Sequence, residues 1–123
     1  MKQPTKKNVK SPKKTADDQV ELFETIYPLL SAAFDEVKEF SKKKQDELLN
    51  SKKVKIINRL LDNAKEVLKN EPTVAFLDML DEEDLPSNSD AVLTMSQYMS
   101  AMRKFRIDHY HIDSWDLEDG DWD

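Results

Sequence analysis

An all-α fold, a small four-helix bundle-like domain, follows from three features of the 123-residue chain. Apolar residues recur three and four apart in four stretches, the spacing that puts them on one face of a helix. The chain has one glycine, Gly120, whereas hairpin-rich β architectures draw on glycine for their tight turns. Charged residues make up 36% of positions against 38% hydrophobic, enough apolar content for one core but not two.

The first stripe runs Val20, Phe23, Tyr27, Leu30, Phe34 and Val37, and Ile26, Leu29, Ala33 and Phe40 widen it. A stripe that wide predicts a helix packed on more than one neighbour. Thr15 or Asp17 is the expected N-cap. Pro28 falls mid-stripe, where it removes the hydrogen bond to the Glu24 carbonyl and costs about 3 kcal/mol. The stripe keeps its phase across Pro28, which favours one kinked helix; the alternative starts a new helix with Thr25 as cap. Residues 41–48 form helix readily but lack a core face, and the break is expected at Asn50 and Ser51.

The second helix carries Val54, Ile57, Leu60, Leu61, Ala64, Val67 and Leu68, and should end near Asn70, before Pro72. So short a turn makes it an antiparallel neighbour of the first. A short third helix, capped by Thr73, would carry Val74, Phe76, Leu77, Met79 and Leu80. Acids at 81–84 and then Pro86 end it. Ser87 followed by Asp90 resembles a capping box with Asp in place of Glu. It opens a fourth helix with Val92, Met95, Met99, Met102 and Phe105, reaching about Ile107.

Charge divides the chain into three parts. Residues 1–14 hold six lysines and no acid, so they carry +6; with two prolines and almost no apolar residue they read as a disordered basic arm. Residues 15–70 stand at −1 and residues 71–123 at −11. The expected organisation is the arm 1–14, a helical domain 15–107 and an acidic aromatic tail 108–123.

Several function classes drop out. With no cysteine there is no disulfide framework, thiol nucleophile or thiolate metal site. With one glycine there is no phosphate loop, dinucleotide fingerprint or nucleophile elbow. No apolar run approaches the roughly 20 residues of a spanning helix, and no apolar segment follows the basic start as a signal peptide requires. A cytosolic location is the expectation. His109 and His111, flanked by Asp108 and Asp113, are metal-ligand types. Residues two apart on a helix point to different sides, however, so no metal or cofactor is expected. A calcium loop fails too, because Gly120 at its sixth position would put Trp115 and Leu117 where acids belong. No catalytic residues are assigned.

Two surfaces remain. In the tail, Trp115, Leu117 and Trp122 stand among Asp113, Asp116, Glu118, Asp119 and Asp121. A merely solubilising tail gains nothing from exposed indoles, which are common anchors at interfaces. The expected function is a non-enzymatic regulatory or interaction module gripping a basic protein partner, of inhibitor, antitoxin, immunity or phage-modulator type. The plainer reading folds the tail back to cover the bundle or the basic patch. That patch is Lys42, Lys43, Lys44, Lys52, Lys53, Lys55 and Arg59; Lys52, Lys55 and Arg59 share a helix face, and residues 38–59 hold eight bases against three acids. It supports the alternative of a nucleic-acid-binding accessory protein, against the plainer reading of a solvated face. A third reading is a structural oligomer subunit packing through Met95, Met99 and Met102, which at this spacing more often simply fill a core.

Overall fold

A computed structural model describes residues 11–110, with side chains from Asp17 onward. They form α1 (Ser11–Lys43), α2 (Ser51–Val67), a 3-10 helix (Pro72–Phe76) and α3 (Asn88–Tyr110). The all-α expectation holds. α1 begins inside the span 1–14, and residues 1–10 lie outside the described residues.

α1 is one unbroken helix of 33 residues with Pro28 inside it, about 50 Å long at 1.5 Å per residue. Thr15 and Asp17 are interior positions, so neither is the cap expected of them. Thr25 does not cap a second helix either: its hydroxyl donates back to the Glu21 carbonyl at 3.2 Å, as a mid-helix threonine does. The helix survives its proline because the apolar face continues on both sides, with Phe23, Ile26, Leu30 and Val37 all buried. Leu29, counted in the stripe, lies 54% exposed.

α2 runs antiparallel to α1. Gln19 Nε2 donates to the Val67 carbonyl at 2.8 Å at one end of the pair, and the Lys53 ammonium lies 4.4 Å from the Phe40 ring centroid at the other. Asn50 caps α2, accepting from the Lys53 N–H at 2.8 Å. α3 is also antiparallel to α1. Phe105 stacks on Phe23 with ring centroids 5.4 Å apart, and Asn88 Nδ2 donates to the Lys44 carbonyl at the opposite end. α2 and α3 are therefore parallel to each other. Each packs on α1, and they touch one another little.

Parallel neighbours force the chain to travel back along α2 before α3 can begin. A third helix over residues 73–80 was the expectation; the chain instead makes the five-residue 3-10 helix and then an extended strap. Distance explains the difference. α2 is about 25 Å long, and an eight-residue helix would advance only about 12 Å, whereas extended chain covers about 3.3 Å per residue. The 3-10 helix has Glu71, not Thr73, at its N-cap position, with Pro72 following. Phe76 and Met79, expected in a helix core face, lie 77% and 38% exposed, while Leu77 and Leu80 are buried.

The strap is bonded along its length. Lys65 Nζ donates to the Leu77 carbonyl at 3.1 Å, and the Tyr98 hydroxyl to the Asp78 carbonyl at 2.8 Å. Asn58 makes a reciprocal pair with Leu80, donating to its carbonyl at 2.8 Å and accepting from its N–H at 2.9 Å. The strap thus closes the groove between α2 and α3, the place a fourth helix would hold.

The start of α3 is satisfied completely. Asn88 N–H donates to the Glu47 carbonyl, Ser89 N–H to the Gln45 carbonyl, and Ala91 N–H to the Ser87 carbonyl. Asp90 N–H donates to the Ser87 hydroxyl at 3.1 Å, so Ser87 is the cap its spacing predicted. The loop between α1 and α2 therefore fixes where α3 begins. The helix continues to Tyr110, past the expected end at Ile107.

Candidate partner-binding surfaces

The basic residues gather at the end of the α1–α2 pair. Lys42 and Lys43 form the last turn of α1, Lys44 follows, and Lys52, Lys53 and Lys55 occupy the start of α2, all exposed; Arg59 lies exposed one turn on. Lys42 pairs with Glu39 at 3.2 Å. Lys43, Lys44, Lys52, Lys53, Lys55 and Arg59 have no ion-pair partner among the described residues. α2 has no acid in its first turn, so Lys52 and Lys53 sit at the positive end of the helix dipole, where anionic residues are ordinarily favoured.

Beside these lysines lies a groove that the apolar stripes did not reveal. Ala33, Phe40, Leu49 and Ile56 contribute to its walls, Glu36 and Lys53 are its polar members, and its volume is about 190 Å³. Ile56 is 45% exposed. Its signal in the sequence is an isoleucine out of phase with Val54, Ile57 and Leu61. A second groove, about 330 Å³, runs between the 3-10 helix and α3, bounded by Phe76, Leu77, Ala101 and Lys104.

Acids collect on the strap. From residue 71 to 102 the chain carries seven acids and no base. Asp78, Asp81, Glu82, Glu83 and Asp84 are all exposed, next to exposed Phe76 and Met79. Asp81 accepts from the Asp84 and Glu83 N–H groups at 2.9 and 2.8 Å, and these bonds hold its carboxyl below the ordinary 3.8. Glu82 accepts from Asn58 Nδ2 at 3.2 Å.

The expected anchors Trp115, Leu117 and Trp122 and the carboxylates Asp113, Asp116, Glu118, Asp119 and Asp121 lie outside the described residues. The Tyr110 hydroxyl donates to the Glu24 carboxylate at 2.9 Å, and its ring meets Phe23 edge-on at 5.9 Å. His109 stacks on Phe105 at 4.2 Å and bonds the Glu71 carboxylate at 3.1 Å. His109 is thereby engaged in tying α3 to the residue that opens the 3-10 helix; His111 lies outside the described residues. Among the described residues no three His, Asp or Glu side chains converge as a metal site, and no helix is long and apolar enough to cross a membrane.

Met95, Met99 and Met102 are all buried in the core of the single chain. Their stripe is spent inside the protein rather than offered to a second copy. Comparison with protein-family models, with curated proteins and with solved structures finds no match to the chain.

Proposed function

We propose that the protein is a non-enzymatic interaction module that binds a basic protein surface through its acidic last third. The observation that carries this reading is the strap. It turns five carboxylates outward beside exposed Phe76 and Met79, in a stretch without a single balancing base. Unbalanced carboxylates steer a basic partner toward encounter, and apolar side chains among them hold it afterwards. The same composition continues beyond α3 in Trp115, Leu117 and Trp122 set among Asp113, Asp116, Glu118, Asp119 and Asp121. A groove that ordinarily holds nucleic acid is a fitting partner surface, because carboxylates on a helical body can occupy the sites of phosphates. Such a module acts in the cytosol as an inhibitor or modulator.

The reading is tested by deleting residues 113–123 and, separately, by changing Asp81, Glu82, Glu83 and Asp84 to Asn or Gln. Both chains should keep their helical circular dichroism and cooperative melting and should lose the co-purifying basic protein. Full retention of that protein by both variants refutes the reading.

The unpaired lysines at the start of α2 support a second one, an accessory protein that binds nucleic acid through Lys42, Lys43, Lys44, Lys52, Lys53, Lys55 and Arg59. Changing Lys52, Lys55 and Arg59 together to Glu should then abolish retention on a short duplex. Wild-type retention should also fall steeply with salt, since each neutralised phosphate releases counterions. A wild-type chain that binds no nucleic acid at low salt eliminates it.

A further inference from the structure

We propose that the groove between the 3-10 helix and α3 receives an amphipathic helix of the basic partner. The apolar side of that helix packs against Phe76 and Ala101, and its lysines or arginines meet the carboxylates of the strap. The proposal rests on the reading above that the partner is basic, and it names the place and shape of the contact.

The surface of α3 is the first observation. Twelve consecutive residues, Ala91 to Met102, carry no charge in a chain that is 36% charged. Burial accounts for one side only, where Met95, Tyr98, Met99 and Met102 face the core. On the other side Leu93, Gln97, Ser100, Lys104 and Ile107 are all exposed, at intervals of four, three, four and three residues. That spacing holds them in one stripe, about 21 Å long, and it is the seam along which two helices pack. Leu93 is 62% exposed and Ile107 38%, so an apolar side chain stands at each end. Lys104 is the one charge in the stripe, and Asp108 pairs with it at 2.8 Å. A helix side that meets only water ordinarily carries charged and polar residues along its length.

The groove beside that stripe is the second observation. Gln97, Ser100 and Lys104 form one bank, and Thr73, Phe76 and Leu77 form the other. Phe76 stands 77% exposed at the rim. A large uncovered ring beside an uncharged trough is the kind of feature that anchors an interface.

Charge selects the occupant. Residues 71–102 hold seven acids and no base. Asp78 directly follows Leu77 of the groove and is exposed, as are the carboxylates at 81–84. A helix bearing lysine or arginine beside its apolar stripe complements this border, and an acidic one is repelled. A second copy fits poorly, because a two-fold contact sets the same surface of both chains together and brings strap toward strap.

The test uses the full chain and a fluorescein-labelled synthetic helix of about 18 residues, with leucines at four- and three-residue intervals and lysines elsewhere. A second peptide carries serine for every leucine and keeps the charge. By anisotropy at low salt, the leucine peptide should bind at least about tenfold more tightly than the serine peptide. Phe76→Ser should weaken the leucine peptide about tenfold and leave the serine peptide unchanged. Ser100→Asp separates the two causes by sign. An added acid tightens a contact made by charge alone and weakens a packed one, where the carboxylate is buried against leucine. Phe76 and Ser100 are both exposed, so both variants should keep the helical signal of the parent. Equal binding of the two peptides, no binding of the leucine peptide, or tighter binding by Ser100→Asp overturns the proposal. The basic-partner reading survives those results and is decided by its own amide variants of the strap. Sedimentation of a dimer that Phe76→Ser converts to a monomer assigns the groove to a second copy and also overturns the proposal.

Discussion

Asn58 shows how much one side chain decides. Its amide faces the Leu80 backbone as a strand partner would, giving and accepting one hydrogen bond in a buried setting. Asn58→Leu fills the same space but leaves a buried N–H and carbonyl unpaired, at about 1–3 kcal/mol for each unpaired group. Urea denaturation should show a loss of about 2–4 kcal/mol; a neutral outcome would mean the strap is not held there. Tyr98 and Tyr110 make a second prediction. Burial comes first for both in pushing their phenols from 10.0 up to about 12; the charges of Asp78 and Asp62 add to it at Tyr98, and the Glu24 hydrogen bond at Tyr110. A folded-state pKa above the unfolded one means the unfolded chain loses its protons first. Stability from these phenols is therefore complete below pH 10 and declines as pH rises to about 12, visible as a falling urea midpoint over that range. A midpoint that stays flat contradicts the assignment. Little of this was legible beforehand. Asn58 and Gln19 sit next to the apolar phase of their helices, and only the path of the strap and the end of α2 give their amides something to bond.

At the scale of elements, the three long helices were readable because their burial repeats every three to four residues. Ser87 was readable because a cap is a local device. The strap was not: Val74, Leu77 and Leu80 are three apart, which a helix face matches, yet their spacing arises from contacts a distant helix imposes. The antiparallel pairing of both α2 and α3 with α1 is a whole-chain fact, and it demands an extended return that no local window encodes. Two substitutions test the elements. Ser87→Ala removes the acceptor for the Asp90 N–H and should cost about 1 kcal/mol. Pro28→Ala restores a donor for the Glu24 carbonyl within α1 and should raise stability, by up to about 3 kcal/mol. No gain in the melting temperature of Pro28→Ala would indicate that α1 bends at Pro28 to meet its neighbours and that straightening it disturbs the packing.

At the scale of the whole molecule, charge is segregated by the fold as well as along the chain. The α1–α2 turn gathers lysines at one end, and the return between α2 and α3 displays carboxylates. The composition foretold a basic and an acidic block; it could not foretell that an apolar groove opens beside the basic one, because Ala33, Phe40 and Ile56 meet only when α1 and α2 pack. A protein so arranged should associate faster with a basic partner at low ionic strength, the rate falling as the Debye length shortens from about 30 Å at 0.01 M to about 10 Å at 0.1 M salt. The most direct measurement is capture of partners on the intact chain from native lysate, one half treated with nuclease, followed by mass spectrometry. The account predicts the same basic protein in both halves, absent when residues 113–123 are removed. Recovery confined to the untreated half would show that nucleic acid forms the bridge and would contradict it.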